Sequence, residues 1–145
     1  MRLAIQRVSE AQVAVAGRIV GAIGRGLCVF VGVHSSDDAA KAGSLAAKLL
    51  RLRVFDDDQG KMNRSVIDVA GAVLVVSQFT LYGDLSRGNR PSFTDAAPPE
   101  QAERIYEQFV DALRRSGVKT ATGQFQARME VALKNDGPVT FILDG

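Results

Sequence analysis

Two short apolar runs without polar interruption, Leu27–Val33 and Ala72–Val76, constrain this chain more than any other feature. A strand with one wet face alternates polar and apolar residues, so an unbroken run of strand length belongs to a strand covered on both faces. Both runs are expected near the centre of a sheet. Two helical patterns supply the cover. Ser35-Ser36-Asp37-Asp38 offers an N-cap and an acidic first turn to Ala42, Leu45, Ala46, Leu49 and Leu50, which recur at helical spacing. Pro98 and Pro99 can open a second helix, in which Ala102, Ile105, Tyr106, Phe109, Val110 and Leu113 form one stripe before Gly117 stops it.

Strands account for most of the rest. Arg2 to Val15 and Gly17 to Ile23 alternate imperfectly and read as short strands or a hairpin, and Val54-Phe55 as a short strand before the turn Asp56–Gly60. The second apolar run is expected to continue as strand to Thr80. From Lys119 onward, Met129–Leu133 and Val139–Leu143 read as two or three strands, with Asn135-Asp136-Gly137-Pro138 as a hairpin connection between them. The expected fold class is α/β: mixed β-sheet layers with two main helices packed on one side, in a single domain over residues 1–145.

The chemistry available is narrow. Cys28 and His34 are the only Cys and His among 145 residues, so one chain has no disulfide and no Cys/His zinc cluster. Cys28 lies inside the first apolar run and reads as a small buried hydrophobe; His34, just after it, reads as a loop or capping residue. A serine or cysteine triad would have to use that one imidazole. Asp56-Asp57-Asp58 lacks the alternating ligands and distal Glu of a calcium loop. The 18 Lys+Arg against 16 Asp+Glu leave a mild basic bias that is compatible with nucleic acid without indicating it. The longest apolar run has seven residues, far below the roughly 18 that cross a bilayer. Arg7 and Glu10 interrupt any secretory signal, so a cytoplasmic location is expected.

Three stretches resist a purely structural reading. Ser77-Gln78-Phe79-Thr80-Leu81-Tyr82 ends a buried strand, a usual place for ligand groups in α/β sheets. Ser77, Gln78 and Thr80 are neutral donors and acceptors, able to hold a polar ligand or line an oxyanion site but not to activate a nucleophile. In Asn135–Thr140, a cis Gly137-Pro138 bond would turn its carbonyl oxygens in unusual directions with little side chain in the way. The loop Ser86–Phe93 carries Arg87 and Arg90, suited to phosphate, and Phe93, suited to stacking on a base.

These stretches together resemble the D-aminoacyl-tRNA deacylase family over essentially the whole chain. The likeness is carried by Arg7-Val8 with Ala11 and Val13, Leu52-Arg53-Val54-Phe55, Lys61-Met62-Asn63, Ser77-Gln78-Phe79-Thr80-Leu81, Gly88-Asn89-Arg90-Pro91-Ser92-Phe93, Thr122–Met129 and Asn135-Asp136-Gly137-Pro138-Val139-Thr140. The resemblance implies a β/β/α arrangement and a cytoplasmic homodimer that hydrolyses the ester of D-aminoacyl-tRNA. Such an enzyme would spare L-aminoacyl-tRNA and accept the achiral glycyl ester, including glycine mischarged on tRNA-Ala. It implies a catalytic group of Ser77, Gln78 and Thr80, with Phe79, Phe125, Met129, Asn135 and Thr140 binding substrate and Arg87 and Arg90 binding tRNA. Gly137 and Pro138 would form a cross-subunit cis pair that excludes L side chains. Catalysis would rest largely on the RNA 2′-hydroxyl and bound water, with no cofactor and no metal. Three other readings stay open: a sister deacylase of relaxed chirality acting on L-alanyl-tRNA, with a trans Gly-Pro bond; a non-catalytic tRNA-binding module; and a dimeric scaffold whose Gly-Pro is a turn.

Overall fold

The computed structural model describes residues 1–145. Strand β1 (Arg2–Val15) turns back into β2 (Arg18–Ile23) through Ala16 and Gly17, both at positive φ, as a two-residue hairpin requires. β3 (Gly26–Gly32) then pairs antiparallel with the first half of β1. Helix α1 (Ala39–Leu50) and the small hairpin β4 (Phe55–Asp56) and β5 (Met62–Arg64) lead to β6 (Ala72–Ser77), parallel to β3. Helix α2 (Pro99–Arg115) crosses to β7 (Lys119–Thr122), parallel to β6, and β8 (Met129–Asp144) returns along the whole of β1.

β3 and β6 are the two strands that the apolar runs predicted, and they lie side by side in the middle of the order β2-β1-β3-β6-β7. Each is buried on both faces, but by different partners. Leu27, Val29, Val31, Val73 and Val75 meet the stripes of α1 and α2, including Leu45, Leu49, Phe109 and Leu113. Cys28, Leu74 and Val76 face the other way, into a smaller core with Val8, Val13 and Ile23. The second core exists because the sheet curls on itself. A Cβ built on Gly21 of β2 would stand 2.3 Å from the carbonyl oxygen of Thr122 at the end of β7, an approach that only glycine permits. The result is the expected class, a mixed sheet with both helices on one side.

Three local expectations are corrected. The acidic pair before α1 does not enter its first turn: Asp38 is the N-cap, accepting from the Lys41 amide at 2.8 Å, while Asp37 turns inward to accept from the His34 amide at 2.6 Å. β6 stops at Ser77 rather than Thr80, because Phe79–Tyr82 wind into one turn of 3-10 helix. The residues around Gly137-Pro138 do not reverse the chain; β8 passes through them as one strand with an arch in it.

Phe109 has no exposed surface and sits where α2 meets the sheet. Phe109→Ala is expected to cost about 3–5 kcal/mol in urea unfolding, with an unchanged m value.

Candidate active site

β6 delivers its carboxyl end to the rim of a cavity of about 850 Å³, lined by 16 residues of which 12 are hydrophobic. Val31 and Val33 come from β3 and its continuation, Val76, Ser77, Gln78 and Phe79 from the end of β6, and Ala102 from α2. Phe125, Gln126 and Ala127 come from the loop before β8, and Met129 and Val131 from β8 itself. No lining side chain is ionisable. The polar groups are Ser77, Gln78 and Gln126.

The segment carrying these groups is held by its backbone. The Gln78 amide still donates to the Val31 carbonyl at 2.8 Å, as if the strand continued, and the Leu81 amide then donates to Gln78 at 3.2 Å, closing the 3-10 turn. The Gln78 side-chain amide donates to the Thr80 hydroxyl. Arg2 secures the far end of the turn, donating to the Leu81 carbonyl at 3.2 Å and lying over the Tyr82 ring. Burial, with the nearby Asp37 carboxylate second, pushes the Tyr82 phenol up to about 12. Phe79 is 56% exposed at the mouth and meets Phe93 edge to face at 4.9 Å. Phe125 leans on Tyr106, whose hydroxyl donates to Val75 at 2.9 Å.

The sequence-predicted residues therefore fall into three places. Ser77, Gln78, Phe79, Phe125 and Met129 converge on the cavity, with Thr80 beside Gln78. Arg87 and Arg90 project from the exposed loop closed by the Asp84–Ser92 bridge, next to Phe93 on the cavity wall. Asn135, Gly137, Pro138 and Thr140 do not line this cavity.

They form an arch of their own. Gln6 pairs with Thr140 and Val8 with Asn135, so two steps on β1 span five on β8 and the intervening residues bow outward. The Asn135 carboxamide braces the arch, accepting from the Val139 amide at 3.1 Å and donating to Thr140 at 3.0 Å. The Gly137-Pro138 bond is cis, and both residues are exposed. Gly137 has φ +127°, and a Cβ there would stand 2.7 Å from the Val139 side chain and 3.2 Å from Arg7.

Arg7 belongs to the stretches that carry the family likeness, but no role in the site was expected of it. It is buried, and its guanidinium donates to the Val54 carbonyl at 2.9 Å, to Asp56 at 3.2 Å and to the Asp136 carbonyl at 3.2 Å, tying the arch to β1 and β4. The signal for a structural role was an arginine at an inward position of an otherwise apolar strand face.

Cys28 is fully buried behind β3, and burial pushes its thiol up to about 12. His34 lies outside the cavity lining, with Nδ1 2.8 Å from Ser36 and its ring against Tyr82. Asp57, in the acidic turn, accepts from the Gln59 and Lys61 amides. No group of three or more His, Cys, Asp or Glu is placed to hold a metal, and no helix is long and apolar enough to cross a membrane.

A family model described as D-Tyr-tRNA(Tyr) deacylase matches residues 4–144. A D-aminoacyl-tRNA deacylase of Geobacter sulfurreducens is 58% identical over 99% of this chain and 95% of its own. One of Thermotoga petrophila is 58% identical over 99% and 97%. Among solved structures, a c-Myc DNA unwinding element binding protein superposes with a TM-score of 0.94 at 42% identity, covering 100% of this chain and 99% of that one. A probable eukaryotic D-amino acid tRNA deacylase shares the fold, with a TM-score of 0.86 at 17% identity over 98% and 97% of the two chains.

The thiol of Cys28 ionises less readily folded than unfolded, so its contribution to stability is complete below pH 9 and is lost as pH rises toward 12. Iodoacetamide at pH 8 is expected to leave Cys28 unmodified in the native protein and to alkylate it in urea. Mass spectrometry reads both states, and rapid native labelling would contradict the burial.

Proposed function

Because this chain belongs to the D-Tyr-tRNA(Tyr) deacylase family, we propose that it hydrolyses the ester joining a D-amino acid to the terminal adenosine of tRNA. Free tRNA and the amino acid are the products. The observation that carries this reading is a cavity of about 850 Å³ whose polar side chains are all neutral, Ser77 and Gln78 at the end of β6 and Gln126 on the loop before β8. Its volume and apolar lining suit a small ligand that is mostly ring and side chain. Its chemistry suits a reaction that needs orientation more than acid–base power.

An ester already carries a competent leaving group. Water adds to its carbonyl carbon, negative charge develops on the carbonyl oxygen, and the ribose oxygen departs with a proton. Holding the reactants in a productive geometry supplies about 7–11 kcal/mol in favourable cases, and one well-placed donor to the developing oxyanion supplies about 3 kcal/mol more. Ser77, Gln78 and Thr80 serve as the donors and acceptors that fix the ester. The 2′-hydroxyl of the terminal ribose assists the attacking water, a task for which the cavity lining has no side-chain base. Phe79, half in solvent at the mouth, takes the face of the adenine, while Phe125 and Met129 form the inner wall.

Handedness calls for a different device. The two enantiomers carry the same groups, so selection works by placing something unyielding where the wrong side chain would go. The arch at Gly137-Pro138 fills that role, braced by Asn135 and Thr140 and tied down by Arg7. It lies off the chain's own cavity, so it acts on the cavity of a second copy, in a homodimer where one two-fold axis supplies each site with its partner's arch. Phe141 and Ile142, exposed just beyond the arch on the sheet-edge strand β8, are apolar surface for that copy to cover. Glycine has no side chain to exclude, and its ester is accepted as well.

D-tyrosyl-tRNA is expected to lose its amino acid far faster than L-tyrosyl-tRNA when the purified protein is added, read as acid-precipitable counts. Equal hydrolysis of both, or of neither, contradicts the proposal. Gly137→Ala, whose new Cβ displaces the arch, is expected to lower the D/L rate ratio by roughly tenfold or more.

A further inference from the structure

The cavity lining carries no charge, whereas the substrate proposed above carries a phosphate at every nucleotide. Those phosphates find no partner inside and must cross the rim, where cations give the main, salt-dependent part of polynucleotide affinity. Two loops form that rim. The first carries Arg87 and Arg90 and returns to the cavity at Phe93. The second, Gly123–Arg128, places Phe125, Gln126 and Ala127 on the cavity wall and hands the chain to Met129, also on the wall.

Between Ala127 and Met129 stands Arg128, exposed. Its neighbours on both sides line the cavity and it does not, which places it at the cavity's edge. The loop that presents it is fixed: the Gly123 amide donates to Val75 at 3.0 Å, the Ala127 amide donates to Gln124 at 3.2 Å, and Gln126 sits at φ +60°. Six of the 18 Lys and Arg side chains, Arg2, Arg7, Lys41, Arg64, Arg114 and Lys134, have a carboxylate partner, and twelve do not. Arg87, Arg90 and Arg128 take part in none of the chain's ion pairs. Segment 123–128 contains no acid, and Glu130, the nearest one along the chain, forms no ion pair either.

We propose that Arg128 binds a backbone phosphate of the single-stranded 3′ end of the tRNA, so that the second loop of the rim grips the polynucleotide as well as the first. A planar guanidinium without a competing carboxylate is suited to that contact. The inference rests on aminoacyl-tRNA being the substrate.

The test measures the affinity for uncharged tRNA across a KCl series by fluorescence anisotropy, alongside deacylation kinetics, for the wild type, Arg128→Ala, Arg128→Lys and Arg115→Ala. Arg115 ends α2 about 20 Å along the helix from Ala102 and does not line the cavity, so its variant removes the same charge away from the cavity wall. Arg128→Ala is expected to weaken tRNA binding roughly fivefold and to flatten the log–log salt slope by about 0.7, with KM rising in step while kcat holds. Arg128→Lys restores the slope, and Arg115→Ala keeps the wild-type slope. An Arg128→Ala protein that binds tRNA with wild-type affinity and slope overturns the assignment, as does an equal loss in Arg115→Ala. A wild type that binds tRNA without hydrolysing its ester defeats the proposed activity, while the binding series still decides the role of Arg128.

Discussion

A buried guanidinium organises the part of this fold that departs from regularity. β1 and β8 could pair without interruption over their whole length, yet the ladder slips between Gln6 and Glu10, and Arg7 occupies the gap. An arginine inside a sheet is costly unless its donors are met. Here they are met by the Val54 carbonyl, the Asp56 carboxylate and the Asp136 carbonyl, which belong to three separate segments. The arch at Gly137-Pro138 is thus a built element: its base is clamped by Arg7 and its interior by Asn135, and Val139 returns the chain to the core at 7% exposure.

The cavity follows from the opposite tendency, the completion of an apolar interior. β3 and β6 are buried by helices on one face and by the curled sheet on the other, so the end of β6 emerges among aliphatic and aromatic side chains. Polar side chains line it only where β6 ends, at Ser77 and Gln78, and at Gln126 on the loop before β8. A site made this way orients and discriminates well but has no proton acceptor of its own, which suits the breaking of an activated ester with help from the substrate's own hydroxyl. The arch and the cavity lie apart within one chain, and a two-fold partner brings them together in the proposed site.

Much of this was legible beforehand, and the exceptions share a cause. The unbroken apolar runs identified the central strands because burial on both faces leaves that pattern whatever the tertiary context. The stripe from Ala102 to Leu113 identified α2, and its start at Pro99 matches the preference of proline for the first helical turn. Local patterns misled where a long-range partner decided the outcome. Asn-Asp-Gly-Pro has the composition of a reversing turn, but the ladder to β1 resumes beyond it, so the chain bows out and continues. Thr80 looked like strand because Phe79 and Leu81 are apolar, whereas Phe79 faces solvent beside Phe93 and the backbone closes a turn there. Arg7 was hidden because its partners lie 47 and 129 residues away. Ser77, Gln78 and Phe125 stood out in motifs that resemble the family and do line the cavity, but motifs do not report which of their residues face the same space.

The central claim is that each site is completed by the arch of the other subunit, and mixed dimers test it most directly. One subunit carries Gly137→Ala and a first affinity tag, the other Gln78→Ala and a second tag, and heterodimers are isolated over both. If the arch acts across the interface, the intact cavity of the first subunit receives the intact arch of the second. The heterodimer then hydrolyses D-tyrosyl-tRNA at about half the wild-type rate and spares L-tyrosyl-tRNA. A heterodimer that is active but removes both enantiomers would show that each cavity reads the arch of its own chain, and would contradict the account.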